Sequence, residues 1–226
     1  MDTKNSSEEW SANLAHELRS PISIIRGFAE LLQDHPMEKA TVQEIAGKIV
    51  HSSLRLETLI QSLLQLSDAK HARENFRQVP LLPLLEECKQ TLPQANICLF
   101  CDTPNIQVFG DEELLRLAFL NLLENSVKYS IGTANIQVSI LQTASEAQIT
   151  IQDEGIGIAA HHLPHIFDRF YSADKARSRK LGGAGLGLSI VKTILEKHSG
   201  SISVASECGK GTKFSIILPI DERMNL

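Results

Sequence analysis

Residues 111–129, with the sequence DEELLRLAFLNLLENSVKY, have the spacing of a helix with two different faces. Asp111 can cap the N-terminus, and two acidic residues follow in the first turn, where the helix dipole favours negative charge. One face, which we expect to pack on a core, carries Leu115, Phe119, Leu122 and Ser126. Another face places Asn121, Asn125 and Lys128 at i, i+4 and i+7. Because an Asn oxygen suits Mg²⁺ and a Lys ammonium suits phosphates, the pattern predicts a binding face. Taken alone, Asn-x-x-x-Asn is more often an ordinary polar helix surface.

A second motif, Asp153-Glu154-Gly155-Ile156-Gly157, follows directly on a predicted strand at 148–152. A carboxylate at the end of a strand can accept a hydrogen bond from the amino group of adenine. The glycines would let the backbone approach the base. On its own, such a motif is usually just a turn.

A basic and glycine-rich segment precedes a predicted helix at 187–198. Its cations are Lys175, Arg177, Arg179 and Lys180, and the run Gly182-Gly183-Ala184-Gly185-Leu186-Gly187 follows them. Cations suit phosphates, and a helix N-terminus attracts anions. A Rossmann-type dinucleotide motif does not fit, because a basic loop rather than a strand precedes the glycines.

From residue 76 onward, short strands alternate with helices, which predicts an α/β domain. We expect strands at 76–79, 97–101, 106–109, 136–141, 148–152, 201–205 and 213–218. We expect helices at 83–91, 112–129 and 187–198. The polar stretch at 70–75 indicates a domain boundary.

The first 70 residues have the pattern of a helical hairpin. Residues 10–33 carry a seam of Ala15, Leu18, Ile22, Ile25, Ala29 and Leu32, and Asp34-His35-Pro36 breaks this helix. The second helix repeats apolar or small residues at Val42, Ile45, Ile49, Ser52, Leu56, Leu59, Leu63 and Leu66. Because a lone hairpin leaves wide apolar seams in water, we predict a dimeric four-helix bundle.

The run His16-Glu17-Leu18-Arg19-Ser20-Pro21 lies on the first helix. His16 follows the seam residue Ala15, which places it on the rim of the bundle. A neutral imidazole can attack a phosphoryl group through one ring nitrogen, and Glu17 could take the proton from the other. Pro21 has no N–H and should kink the helix beside His16. Taken alone, a His-Glu pair is more often a solvated helix face.

These motifs, in this order and over roughly residues 10–219, resemble the sensor histidine kinases of two-component signalling. The resemblance implies a dimerisation and phosphoacceptor domain at 1–72 and a catalytic ATP-binding domain at 73–226, an α/β sandwich of Bergerat type with a mixed sheet packed on helices. It implies autophosphorylation of His16 from Mg·ATP, then transfer to the aspartate of a response-regulator receiver domain. The protein would act as a homodimer.

By resemblance, the catalytic residues are His16 and Glu17, and Asn125 is the metal ligand. Ser20, one turn beyond His16, would hold the attacking water when the kinase dephosphorylates its regulator. Residues 167–187 resemble the mobile ATP lid. Gly209-Lys210-Gly211-Thr212 matches the last glycine box, although a plain hairpin turn explains it almost as well. The expected nucleotide contacts are Asn121, Asn125, Lys128, Tyr129, Asp153, Gly155, Gly157, Phe167, Arg177, Arg179, Gly183, Gly185, Leu186, Gly187 and Thr212.

Composition narrows the remaining possibilities. The chain has 226 residues, of which 42% are apolar, and a net charge of −5, which argues against nucleic acid or an anionic membrane as a general partner. No apolar run is long enough to span a bilayer, so we expect a cytoplasmic chain that meets a membrane only through a region outside it. The four cysteines should be reduced. Cys98-x-x-Cys101 lacks a second pair for zinc, and the histidines at 161, 162 and 165 lack a full ligand set.

Two other functions share parts of this pattern. A dimeric scaffold gated by ATP would have the pocket and the hairpin without transfer. An ATPase of the related chaperone or mismatch-repair type would have the pocket alone. Glu17 beside His16 on the acceptor helix favours the kinase over both.

Overall fold

Two long helices, α1 (Asp2–Asp34) and α2 (Lys39–His71), begin the computed structural model, which describes residues 2–71, 75–174 and 185–220. They pack against each other as a hairpin. The predicted break at Asp34-His35-Pro36 is confirmed. α1 continues across Pro21 as a single helix.

The apolar residues of α2 divide into two groups. Ile45 and Leu59, both predicted for the seam, are buried within the single chain. Val50, Leu54 and Leu64 lie on another side of the helix, where 58%, 58% and 59% of each residue is exposed. α2 therefore has a second apolar stripe that its own chain leaves uncovered.

The second part of the chain alternates strands and helices close to the predicted positions. In chain order, the elements are β1 (Arg77–Pro80), α3 (Leu81–Gln90), β2 (Asn96–Cys101), β3 (Gln107–Gly110), α4 (Glu112–Lys128), β4 (Asn135–Gln142), β5 (Glu146–Asp153), α5 (Gly187–Lys197), β6 (Ser201–Glu207) and β7 (Gly211–Pro219). Strands β1 and β3 form a small antiparallel pair. The other five form a mixed sheet in the order β2-β4-β5-β7-β6, in which only β2 and β4 are parallel.

The core lies between one face of this sheet and the helices. Residues on β4 and β5 alternate between buried and more exposed positions, as expected for strands with one covered face. Ile149 and Ile151 on β5 pack in one cluster with Phe119 of α4 and Ile190 of α5. The predicted fold, a helical hairpin followed by an α/β sandwich with a mixed sheet packed on helices, is confirmed.

A buried histidine ties the ends of α4 and α5 together. His198 accepts a hydrogen bond at Nε2 from the Asp111 N–H (3.0 Å), and its Nδ1 lies 2.7 Å from the Ile194 carbonyl oxygen. Its ring also stacks on Phe76, at 4.7 Å between centroids. Burial lowers the pKa of His198, which favours the neutral ring that these two hydrogen bonds require. This contact fixes α4 and α5 relative to each other, and both helices supply the walls of the site described next.

Candidate functional site

A cavity of about 420 Å³ lies between α4, α5 and the ends of β5 and β7. It brings together ten of the residues predicted to contact a nucleotide. They are Asn121, Asn125, Lys128, Tyr129, Asp153, Gly157, Gly185, Leu186, Gly187 and Thr212. Gly155 and Phe167 are not among the residues that line the cavity. Arg177, Arg179 and Gly183 fall outside the described residues.

Asp153, at the end of β5, is 5% exposed and accepts three hydrogen bonds. Its Oδ1 accepts from the backbone N–H groups of Gly155 (2.9 Å) and Thr212 (3.1 Å). Its Oδ2 accepts from the Ser126 hydroxyl (3.1 Å). These three hydrogen bonds occupy three acceptor positions of the carboxylate, and one lone pair of Oδ2 is left for a ligand.

The turn between β6 and β7 packs directly on the Asp153 loop. The Gly209 N–H donates to the Ile156 carbonyl (2.8 Å). Gly211 and Gly157 have positive φ angles of 93° and 67°. A Cβ at Gly211 would overlap the Asp153 carbonyl oxygen, and a Cβ at Gly157 would overlap that of Glu207. Both glycines are therefore required by close backbone contact between the two loops. The turn does more than join two strands, because it packs on the loop after Asp153, and Thr212 just beyond it lines the cavity.

The polar face of α4 supplies the opposite wall. Asn121 donates from Nδ2 to the Leu117 carbonyl (2.9 Å), which leaves its Oδ1 directed at Gly187, where an added Cβ would lie 2.8 Å away. Burial lowers the pKa of Lys128, and the nearby Glu124 carboxylate opposes this shift. Burial likewise raises the pKa of Glu124. A phosphate near Lys128 would stabilise its charged form.

The two ends of the segment resembling a lid meet at a tight contact. Gly185 has a φ of 71°, and a Cβ there would clash with the backbone of Phe170 and Tyr171. Phe170 also has a positive φ, of 62°. The Tyr171 hydroxyl lies 2.7 Å from Nδ1 of His162. This stem holds Tyr171 in the wall of the cavity.

The acceptor motif lies in the middle of α1. The backbone of His16 is helical, whereas its side chain lies outside the described part of the structure. Glu17 and Ser20 are half-buried, and Pro21 is buried. Helix α2 also contacts α5, and its residue Ser62 lines the cavity. The hairpin therefore reaches the wall of the proposed nucleotide pocket.

Two family models cover most of the chain. One, described as the His Kinase A (phospho-acceptor) domain, matches residues 6–72. The other, described as histidine kinase-, DNA gyrase B-, and HSP90-like ATPase, matches residues 110–222. The chain belongs to the sensor histidine kinases.

This histidine kinase is 34% identical over 218 residues to the sensor-like histidine kinase SenX3 of Mycobacterium tuberculosis, an alignment that covers 93% of this chain and 53% of SenX3. The structure of full-length ShkA in complex with AMPPNP matches 93% of this chain and 45% of ShkA, with a TM-score of 0.66 and 25% identity. The histidine kinase ThkA in complex with the response regulator TrrA has the same fold, with a TM-score of 0.69 at 22% identity over 94% of this chain and 61% of that one. The chain spans about half the length of the relatives it matches.

The sequence reasoning missed several residues of the site in this histidine kinase. Ser126 was expected only to pack, yet it donates to Asp153. A buried hydroxyl needs a hydrogen-bond partner, which is the signal that could have identified it. Ser206 and Ser62 lie in none of the motifs identified from the sequence. Each reaches the site from an element that is distant in sequence from the other site residues.

Three further observations concern metals, cysteines and membranes. Among residues 2–71, 75–174 and 185–220, no group of three or more His, Cys, Asp and Glu side chains is placed to hold a metal ion. All four cysteines are free. Within those same ranges, no helix is long and apolar enough to cross a membrane.

Proposed function

We propose that this chain is an ATP-dependent protein histidine kinase core that phosphorylates itself on His16 and passes the phosphoryl group to the aspartate of a response-regulator receiver domain. The observation that carries the proposal is the buried Asp153 carboxylate, held as an acceptor at one end of a cavity that Asn125 and Lys128 line. ShkA binds an ATP analogue and ThkA binds a response regulator, which supports the choice of donor and partner. Incubation with Mg·ATP labelled on the γ-phosphate tests the proposal, and label on His16 is expected.

In the proposed reaction, a ring nitrogen of His16 attacks the γ-phosphorus of ATP. A P–N bond forms while the bond to the bridging oxygen breaks, and ADP leaves with that electron pair. Glu17 takes the proton from the other ring nitrogen and acts as the general base. The receiver carboxylate then attacks the phosphorus, and a P–O bond forms as the P–N bond breaks. Glu17 returns its proton and leaves a neutral His16. Because ATP is the donor, the reaction places these domains in the cytoplasm.

Three side chains with oxygen atoms of the kind that Mg²⁺ prefers line the cavity. Asn121, Glu124 and Asn125 supply amide and carboxylate oxygens from one face of α4. Such hard oxygen ligands fit Mg²⁺, which keeps much of its shell as water and phosphate oxygens. In the proposal, Asn125 is the direct ligand and Lys128 contacts the phosphates. A bound Mg²⁺ would neutralise charge on the phosphates.

We divide the chain into an acceptor domain at 1–72 and an ATP-binding domain at 73–226. Helix α2 runs to His71, and β1 begins at Arg77. The ATP-binding family model begins only at residue 110, whereas Leu81 and Leu85 of α3 already belong to the buried core of the second domain. Packing therefore supports a boundary just after α2.

The acceptor domain is proposed to form a homodimer through the uncovered stripe of Val50, Leu54 and Leu64. Leu54→Asp should convert the dimer to a monomer, because a charge in an apolar helical seam lacks a partner. Light scattering of the full chain should show the mass halved. Leu59→Asp would be a poorer test, since Leu59 is 0% exposed within one chain.

The matched control for this stripe is Thr41→Asp, at an exposed position on the opposite face of α2 from Leu54. It should remain dimeric. A parent protein that is monomeric at micromolar concentration, or a Leu54→Asp variant that stays dimeric, would contradict the four-helix bundle.

Ser20 is proposed to support a phosphatase activity toward the phosphorylated regulator by holding the attacking water. Ser20→Ala should lose this activity, whereas Ser20→Thr should keep or raise it, because the added methyl restricts the rotamer of the hydroxyl. Autophosphorylation should be largely kept in both. The decay of a phosphorylated receiver domain measures the effect, with Ser23→Ala, exposed on the next turn of α1, as control. Equal decay with Ser20→Ala and the parent would mean that Ser20 is only a helix residue.

A further inference from the structure

Ser206, near the end of β6, lies at the junction of three parts of the proposed nucleotide pocket. Its Oγ lies 2.8 Å from the Ile158 backbone nitrogen, beyond the glycines that follow Asp153. The same Oγ lies 2.7 Å from the Gly211 carbonyl oxygen and 3.0 Å from Oγ1 of Thr212. No motif in the sequence pointed to this serine.

The proton count at Ser206 fixes the direction of each hydrogen bond. A serine hydroxyl has one proton to donate and two lone pairs that accept. The backbone N–H of Ile158 can only donate a hydrogen bond, and the carbonyl of Gly211 can only accept one. Ser206 therefore accepts from Ile158 and gives its single proton to Gly211. The remaining contact must be made by the hydroxyl proton of Thr212, which points at Ser206.

This direction determines what Thr212 offers to a ligand. Thr212 is 7% exposed and lines the cavity. With its proton committed to Ser206, the Thr212 hydroxyl has only lone pairs left for a ligand. The neighbouring Asp153 likewise presents only a lone pair of Oδ2, because its other acceptor sites receive three donors. Two side chains at this end of the cavity are thus both acceptors.

We propose that Ser206 is a positioning residue for base specificity. By holding the Thr212 hydroxyl as a hydrogen-bond acceptor, Ser206 makes the pocket select a 6-amino purine nucleotide over a 6-oxo purine nucleotide. A 6-amino group donates to such a site, directly or through one water. A 6-oxo group is itself an acceptor and finds no proton there, and an unpaired buried polar group disfavours binding. The inference rests on the proposed ATP site and names how that site recognises the base.

The test compares the affinities of ADP and inosine diphosphate by calorimetry on the full chain. In inosine diphosphate a 6-oxo group replaces the 6-amino group, and N1 carries a proton. The parent should bind ADP more tightly. In Ser206→Ala, the Thr212 proton is free to turn into the cavity and donate to the 6-oxo group. The ratio of the two dissociation constants should then fall by roughly tenfold, the change expected for about one hydrogen bond.

Further variants separate this role from simple support of the loop. Ser206→Thr keeps the hydroxyl and should retain the parent ratio. Ser203→Ala, on the same strand and exposed, is the matched control and should also retain it. Thr212→Val removes the acceptor and should lower the ratio by itself. Adding Ser206→Ala to Thr212→Val should cause no further change in the ratio, because Ser206 acts through Thr212.

Each contrary result has a distinct meaning. If Ser206→Ala weakens both nucleotides by the same factor, Ser206 only supports the loop and the proposal is wrong. If Ser206→Ala does not fold, an unchanged ratio in Thr212→Val overturns the proposal instead. A parent that binds ADP and inosine diphosphate equally also overturns it, while the ATP site stands. A parent that binds neither nucleotide overturns the proposed function itself.

Discussion

His16→Gln is expected to abolish phosphorylation of the protein by Mg·ATP while leaving ATP binding near the parent value. Gln has no ring nitrogen that can attack the γ-phosphorus, so the loss should be complete rather than partial. The proposed nucleotide contacts come from α4, β5, α5 and β7, so binding should be retained. Incorporation of radiolabel and calorimetry with a non-hydrolysable ATP analogue measure the two quantities separately.

His51→Gln is the matched control for this experiment. His51 is exposed on α2, and its replacement likewise removes one imidazole side chain from the hairpin. It should label like the parent. Label that persists in His16→Gln would place the acceptor elsewhere and refute the assignment.

Asp153→Asn is expected to weaken ATP binding by about a hundredfold or more while leaving the fold intact, because a charge-assisted hydrogen bond is lost and an unpaired donor faces the base. The amide oxygen can still accept from the backbone N–H groups of Gly155 and Thr212. The amide NH₂ then replaces Oδ2, and the Ser126 hydroxyl can rotate to accept from it. The cavity would present an N–H where the adenine amino group needs an acceptor.

Glu154→Gln gives the same change of charge one residue further along the chain. Glu154 is exposed, and its Oε2 accepts from the Asn135 amide (3.2 Å) outside the pocket. This control should bind ATP like the parent. A comparable loss of ATP affinity in both variants would indicate an effect of charge alone. Unchanged ATP binding in Asp153→Asn would mean that Asp153 does not contact the adenine.

Local patterns predicted the secondary structure well because its signals are local. The predicted helix at 112–129 corresponds to α4, and Asp111 caps it by accepting from the Leu114 N–H at 3.1 Å. All seven predicted strands are present, with ends shifted by at most two residues. The strand order in the sheet was not predicted, because pairing such as that of β2 with β4 depends on contacts between distant segments.

The parts of the site that escaped prediction are also non-local. Ser126 and Asp153 are 27 residues apart, and Ser206 and Ile158 are 48 apart. Such pairs leave no periodic signal, and only the packing of two loops brings them together. Leu59 shows the same limit for the hairpin, because the heptad pattern marks it as buried without indicating whether its own chain or a partner covers it.

Mapping the phosphorylated residue in the unaltered protein tests the account most directly. The full chain would be incubated with Mg·ATP, digested at neutral to basic pH and analysed by mass spectrometry for the peptide that contains His16. The account predicts a phosphate on His16 that is labile in acid and stable in base. ATP hydrolysis with no phosphate on the protein, or phosphate on a serine or threonine instead, would contradict it, and hydrolysis alone would favour an ATPase of the chaperone or mismatch-repair type.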